Sequence, residues 1–472
     1  MTLLSKSKYL NGIQCLKLFW TAIHHKDKLP PPDKATEQKF KQGSEVGQLA
    51  KKLFPEGIDI PEDDFIGNLK KSKELIKERK VLFEVAFMIN NLYSRADILV
   101  PVGDEWDIIE VKSSTSVKEI NLHDVAFQKY VYSLCGLKIR KCFLLHINNQ
   151  YVKDGSIDPA EFFTKADITE EVGMITDVEE RVKVMLDLMK DDICPSVKIN
   201  KDCANPYDCP LEDDCWGFLP PSSVFDLYRG GKKSFTLLDE GIMAIKDIPS
   251  DYKLTDKQGI QHQCELNNSV YVNKDGLKQF LSSLVEPHYY LDFETINPAV
   301  PLYDGVRPYQ QITFQWSLHV DSEHYEFLAE HSVDPRLEFL KTLKKVLGSS
   351  GSIVTYNQSF EIGRLRELAL VYPSYKDWVE GVISRVVDLI VPFRNFHYYN
   401  PKQKGSCSIK KVLPAVVGKS YDDLEIGDGA TASLSFLENG SDPVVRKDLL
   451  KYCCLDTEGM VWIVRELREI VK

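Results

Sequence analysis

The stretch VLFEVAFMINNLYSRADILVPVGDEWDIIEVK, residues 81–112, decides how this chain is read. Residues 81–89 and 92–99 have the apolar content of strands, and Asn90-Asn91 between them is a turn signal. Pro101 to Glu105 is polar and turn-prone, and a third strand is predicted from Trp106 to Val111. A turn centred near Gly103–Asp104 sets an antiparallel register in which Asp97 stands about opposite Glu110. Lys112, two residues on, projects from the same face as Glu110. Two carboxylates and one ammonium then converge. Hard oxygen ligands suit Mg²⁺ or Mn²⁺, and such an ion lowers the pKa of a bound water for attack on phosphorus. A lysine beside them can position that water or steady developing charge. Residues 118–135 are predicted helical, with Gln128 and Tyr132 one turn apart on one face. A lone Glu-Val-Lys is common on solvated strands. The ordered set Asp…Glu-x-Lys…Gln-x-x-x-Tyr, on strand, strand and helix, is much rarer.

That set resembles the PD-(D/E)XK nuclease superfamily, in its RecB-like branch. The resemblance implies that Asp97 and Glu110 are metal ligands, that Lys112 is the catalytic lysine, and that Gln128 and Tyr132 contact nucleic acid. Related nucleases often carry a metal-binding histidine in a Gly-x-x-x-His context on an early helix. The matching stretch here, Gly43 to Gln48, has Gly47 where that histidine would fall. Glu84, on the preceding strand, is either a replacement carboxylate or a surface strand residue.

At 472 residues the chain is too long for one core, so two or three domains are expected. The 59 basic residues are outnumbered by 70 acidic ones, a net charge of −11, which argues against coating nucleic acid by bulk electrostatics. It does not exclude a nuclease, because bound metal offsets an acidic site. The basic stretches at 70–80 and 138–141 are solvated element ends or phosphate contacts. No stretch reaches the length of a membrane span, and MTLLSKSKYL lacks the apolar core of a signal peptide. A cytoplasmic location with no membrane partner is expected.

Eleven cysteines in an intracellular chain favour metal ligation over disulfides. Cys203, Cys209 and Cys215 are evenly spaced in DCANPYDCPLEDDCW, a loop-rich segment with little apolar content to hold itself together. A metal or cluster would supply that energy. Three thiolates need a fourth partner, and Cys194 and Cys15 are the candidates. The surroundings of Cys15, LLSKSKYLNGIQCLKLFW, resemble the N-terminal helix of RecB-like nucleases that carry an iron–sulfur cluster. The resemblance implies a ligand set of Cys15, Cys203, Cys209 and Cys215 around a 4Fe–4S cluster, with Zn²⁺ as the alternative. Cys135, Cys142, Cys264, Cys407, Cys453 and Cys454 lie in apolar surroundings and read as small core residues.

From about 220 to 286 the composition shifts to short amphipathic pieces punctuated by Pro and Gly, a small helical connector. A new strand follows in HYYLDFET, residues 288–295, where period two puts Asp292 and Glu294 on one face and Leu291 and Phe293 on the other. A hairpin-like partner is predicted at 311–319, a helix at 335–347, and a strand at 352–356 running into Asn357 and a helix that carries Glu361. Tyr452 and Asp456 lie one turn apart on a late helix at 449–468. Asp388 is read as structural.

Asp-x-Glu on a strand, Asn-x-x-aromatic-acid at a strand-to-helix junction and Tyr-x-x-x-Asp on a late helix together look like the DEDDy group of RNase H-like 3′–5′ exonucleases. This implies a two-metal site for Mg²⁺ or Mn²⁺ with Asp292, Glu294, Glu361 and Asp456 as ligands. Tyr452 would orient the attacking water, and Asn357 would lie against nucleic acid. Glu361 stands where aspartate is commoner, and its extra methylene shifts the carboxylate enough to matter.

The expected fold class is therefore α/β: a PD-(D/E)XK restriction-endonuclease-like domain at 1–219, a connector at 220–286, and an RNase H-like mixed-sheet domain at 287–472. This two-module layout resembles a bacterial family of that composition, and its first half is similar to CRISPR-associated exonucleases. The implied function is a metal-dependent DNA nuclease acting on single strands or duplex ends. The alternatives are a nucleic-acid-binding scaffold with one or both sites inactive, or an RNA-directed 3′–5′ exonuclease working through the C-terminal domain.

Overall fold

The computed structural model describes residues 2–61 and 64–472. The chain divides into two compact units, Met1–Gly217 with Pro298–Gln310, and Phe218–Asn297 with Gln311–Lys472. Each is mixed α/β. The segment 298–310, which the sequence pattern leaves in the C-terminal half, is counted with the first unit. There the Tyr309 hydroxyl donates to the Ser113 carbonyl (2.5 Å), and Lys153 pairs with Asp304.

In the first unit, strands Leu82–Ile89 and Leu92–Val102 form a hairpin with Ile89 opposite Leu92. Its two turn residues, Asn90 and Asn91, have φ of 50° and 64°. Asparagine tolerates this left-handed backbone better than any side chain except glycine, which is why this pair turns the chain. A second two-residue turn at Gly103 (φ 58°) and Asp104 sets Val102 opposite Glu105 on the strand Glu105–Lys112. The helix Glu119–Leu134 crosses over to a parallel strand, Ile139–Ile147, and the antiparallel strand Phe163–Asp167 follows. One core holds Ile108, Leu144, Phe127, Val131 and Tyr132; another holds Phe83, Ile98, Ile109, Leu145 and Val46 of the helix Lys34–Lys51. Phe127 is fully buried and stacks on Tyr9 at 4.6 Å between centroids. Truncating such a ring costs about 3–5 kcal/mol, so it anchors the N-terminal helix Lys6–Gln14 to the helix Glu119–Leu134.

The second unit has a five-stranded sheet centred on His288–Ile296. On one side lie Ile312–Val320 and then Glu323–Leu328, both pairings antiparallel; on the other lie Ser352–Thr355 and then Val386–Asp388, both parallel. Leu291, Phe293, Trp316 and Leu318 share a core with Phe339, Leu343 and Leu365. The 29-residue helix Pro443–Val471 packs against the two central strands. Asp442 caps it by accepting from the Val444 amide (2.7 Å), and Pro443 at the first helical position has no amide to leave unpaired. Residues 218–286 form short helices around a small core of Val224, Leu227, Leu237, Ile245 and Ile248. Among the described residues no helix is long and apolar enough to cross a membrane.

Candidate active sites and a thiol-lined cavity

In the first unit the expected register holds as far as Ile98 opposite Ile109, one step from Asp97 and Glu110. There the ladder gives way to a side chain, and the Asp97 carboxylate accepts from the Val111 amide at 2.7 Å. Glu110 is buried and receives three donors: Lys112 Nζ (2.5 Å), Lys6 Nζ (2.8 Å) and Gln128 Nε2 (2.7 Å). Lys112 also reaches Asp124 (2.7 Å), as does Gln128 (3.0 Å). Burial opposes ionisation of Glu110, but the two ammonium groups outweigh it and hold the carboxyl well below its usual range. Burial, then the Glu110 charge beside it, pushes Asp97 up to about 7.

Gln128 and Tyr132 share a face, as their spacing predicts, but both are fully buried. Gln128 braces two carboxylates, and the Tyr132 hydroxyl donates to the Val85 carbonyl (2.9 Å). Neither side chain presents a surface for nucleic acid in this structure, because the sheet already covers the face they occupy. Glu84 has a left-handed backbone (φ 55°), and strand alternation breaks there: Leu82 and Val85 join one core while Phe83 joins the other. Its carboxylate pairs with Lys51 and Arg95, each at 3.2 Å. Gly43 and Gly47 lie on the helix Lys34–Lys51, with no side chain to offer a metal.

Cys15, Cys203, Cys209 and Cys215 line one cavity of about 240 Å³, together with Gly12, Val197 and Trp216. Cys15 sits at the junction of the helices Lys6–Gln14 and Leu16–His24. The Cys209 amide donates to the Cys203 carbonyl (2.9 Å), and Gln14 reaches the carbonyls of Asp202 and Tyr207. Burial pushes the Cys209 thiol up, and the neighbouring Cys15, Cys203 and Cys215 add to it. All eleven cysteines are free thiols, and Cys194 is exposed. A cavity lined by four cysteines offers the donor type of a thiolate-ligated metal group. Cys142 and Cys264 are core residues as expected, whereas Cys453 and Cys454 face polar groups.

In the second unit, Asp292 and Glu294 lie opposite Ser317 and Gln315, on the side of the strand facing the last helix. The last helix supplies Tyr452 and Asp456, both buried. Glu361 lies in the first turn of the helix Ser359–Val371, is 2% exposed, and has an Oε2 with no hydrogen-bond partner. Burial, then Asp456 and the other carboxylates, pushes Asp292 far above its usual range; burial, with Asp456 and Glu361, does the same to Glu294. Glu361 is pushed up to about 8, by burial and then by Asp388 and Asp456. Burial pushes Asp456 up to about 6, against the Tyr421 hydroxyl (2.5 Å), Lys410 and Tyr452. Lys410 is the cation that draws both Glu294 and Asp456 down, and it lies 5.8 Å from the Tyr452 ring centroid. Four carboxylates that disfavour one another's ionisation, three of them buried and Asp292 half-buried, with one orphaned oxygen on Glu361, fit divalent cations.

Asn357 has φ of 73°; its amide donates to Asp388 (2.8 Å) and its side-chain oxygen accepts from Arg394 (3.1 Å). Asp388 thus fixes the strand-to-helix junction ahead of Glu361. Sequence reasoning missed Lys6, Asp124, Lys410 and Tyr421. A signal existed for Asp124, which stands one turn before Gln128 on the same helix face.

A family model described as a domain of unknown function (DUF2779) matches residues 289–408. The chain is 29% identical over 226 residues to the Uncharacterized protein MG366 of Mycoplasma genitalium, covering 41% of this chain and 34% of that protein. It is 28% identical over 189 residues to the Uncharacterized protein UU173 of Ureaplasma parvum, covering 34% of this chain and 27% of that protein. The chain thus spans about a third of the length of the curated relatives it matches.

Proposed function

We propose that the chain is a metal-dependent nuclease that hydrolyses phosphodiester bonds in DNA. On this reading the first unit is a RecB-like PD-(D/E)XK domain and the second an RNase H-like DEDDy domain. The observation that carries it is the convergence of Asp292, Glu294, Glu361 and Asp456, from two strand-borne and two helical positions, into one largely buried set of electrostatically coupled carboxylates. Mg²⁺ or Mn²⁺ held there would neutralise the carboxylates and activate water for in-line displacement. Tyr421 holds one oxygen of Asp456 in place, and Lys410 supplies positive charge beside Glu294 and Asp456. In the first unit Lys112, Lys6 and Gln128 orient Glu110, while Asp97 keeps its second oxygen for a ligand. Cys15, Cys203, Cys209 and Cys215 would hold a 4Fe–4S cluster, with Zn²⁺ the alternative. Eleven unpaired cysteines agree with a reducing cytoplasmic location.

The test is degradation of end-labelled single- and double-stranded DNA, with RNA as competitor, by wild type, Asp97→Asn, Asp292→Asn and the double variant. Asparagine at 97 keeps an acceptor for the Val111 amide, so loss of fold does not mimic loss of chemistry. If all three variants match wild type, both assignments are wrong. A second reading, in which the first site binds without cleaving, is favoured by Lys6 and Lys112 already occupying the Glu110–Asp124 pair. Cleavage abolished by Asp292→Asn and unchanged by Asp97→Asn would select it. Preferential cleavage of the RNA competitor would move the substrate class to RNA.

A further inference from the structure

The acidic cluster has a neighbour on the same sheet face that the nuclease reading does not use. His319 and His324 stand opposite each other on the antiparallel strands Ile312–Val320 and Glu323–Leu328. Their rings stack with centroids 4.4 Å apart. Cys454 comes to them from the last helix, and ligand atoms of all three residues lie within 4.8 Å of one another.

We propose that His319, His324 and Cys454 form a site for a transition-metal ion of the Zn²⁺ class, which clamps this hairpin to the last helix. The donor set of two imidazoles and one thiol is the type zinc prefers over Mg²⁺ or Ca²⁺. Tetrahedral zinc, with bonds of roughly 2.0–2.3 Å, places its ligand atoms roughly 3.3–3.8 Å apart. The three residues therefore need only small side-chain rotations to close on an ion.

The surrounding hydroxyls are arranged as second partners of the ligands. Thr457 Oγ1 bonds His319 Nδ1 (2.8 Å), and Ser317 Oγ bonds His324 Nε2 (2.9 Å). Each bond fixes one ring nitrogen and leaves the other for a metal, the arrangement that orients ligating histidines. The Glu326 carboxylate lies 4.0 Å from His324 Nδ1, the ring nitrogen left for the metal. The two hydroxyls also bond each other (2.7 Å), so hairpin and helix already share a polar seam into which the ion would lock. That helix carries Tyr452 and Asp456, so the clamp would hold them in position. None of the three ligands belongs to the proposed nuclease cluster, and the site is testable without any cleavage assay.

The experiment is Co²⁺ binding to the full chain under excess Mg²⁺, followed by the sulfur-to-cobalt absorption and by bound-metal analysis, with Zn²⁺ added to displace the cobalt. Wild type, Cys454→Ser and His324→Gln are compared after each is shown to have native far-UV circular dichroism. The expected result is about one equivalent less Co²⁺ in either variant. The Cys454→Ser spectrum should lose one thiolate's share of the absorption, and Zn²⁺ should raise the unfolding midpoint of wild type more than that of the variants. Equal stoichiometry and equal spectra in all three proteins would overturn the proposal. Should one variant fail to fold, the other decides, since each removes a single ligand.

Discussion

Replacing Glu361 by glutamine should make the metal-free protein more stable at neutral and alkaline pH. The carboxyl is 2% exposed, one oxygen has no partner, and burial with Asp388 and Asp456 nearby raises its pKa from 4.5 to about 8. An unfolded chain releases this proton near pH 4.5 while the folded one retains it to about pH 8. The favourable contribution is therefore fully present below pH 4.5 and is lost as pH rises toward 8. At about 1.4 kcal/mol per pH unit, wild type loses about 3 kcal/mol by pH 7 and about 5 kcal/mol by pH 9 through this one group. Glutamine has nearly the same shape and no charge to bury. Urea denaturation in EDTA, from pH 5 to 9, should give wild-type and Glu361→Gln curves that lie close at pH 5 and diverge in favour of the variant above it. Saturating Mg²⁺ should restore wild type more than the variant, because the ion neutralises the charge that glutamine lacks. A stability difference that stays constant from pH 5 to 9 would refute the reasoning.

Burial raises Asp456 to about 6 even with the Tyr421 hydroxyl drawing it down, and Tyr421→Phe removes that hydroxyl. The acid limb of the pH–rate profile should therefore move to higher pH by about 1 unit; an unmoved limb means Asp456 does not control it. Anaerobically purified wild type should show a broad band near roughly 400 nm that Cys15→Ser and Cys209→Ser lose. A colourless, zinc-containing wild type would replace the cluster with a single ion. Gln128→Leu strips charge-assisted bonds from Glu110 and Asp124 and should cost about 2–3 kcal/mol in denaturant titration. A loss within about 0.5 kcal/mol would show that the amide is no brace.

Local chemistry made part of this molecule legible. The Asn90-Asn91 and Gly103-Asp104 turns fix strand register through backbone conformations only a few residues adopt, so Asp97 and Glu110 could be aligned from sequence. Alternation in residues 288–295 likewise separated Asp292 and Glu294 from Leu291 and Phe293. Periodicity, however, gives a face and not what covers it. Gln128 and Tyr132 were placed on the right face and the wrong side of the solvent boundary. Lys6 lies 104 residues from Glu110 in sequence, and no local pattern in KSKYL announces that pairing. The strand Glu323–Leu328 was missed because EHYEFL is a largely exposed edge with little apolar content. At Glu84 a single left-handed residue reset the alternation, which residue type alone does not reveal.

The two acidic sites solve the same electrostatic problem in different ways. The first carries its own counter-charges: Lys6 and Lys112 offset Glu110 and Asp124. In the second, Lys410 offsets Glu294 and Asp456 and Arg364 offsets Glu361, yet burial prevails and the carboxyls rise toward neutrality. Cation binding should therefore stabilise the second unit far more than the first. The first depends instead on the N-terminal helix, since Lys6 opens the nine-residue segment Lys6–Gln14 and Cys15 follows directly. At 1.5 Å per residue those two positions are roughly 13 Å apart. A group held by the thiols at one end of this rod would also set where the Lys6 ammonium meets Glu110 at the other. Loss of the cysteine-bound group should thus alter the first acidic site without touching any of its ligands.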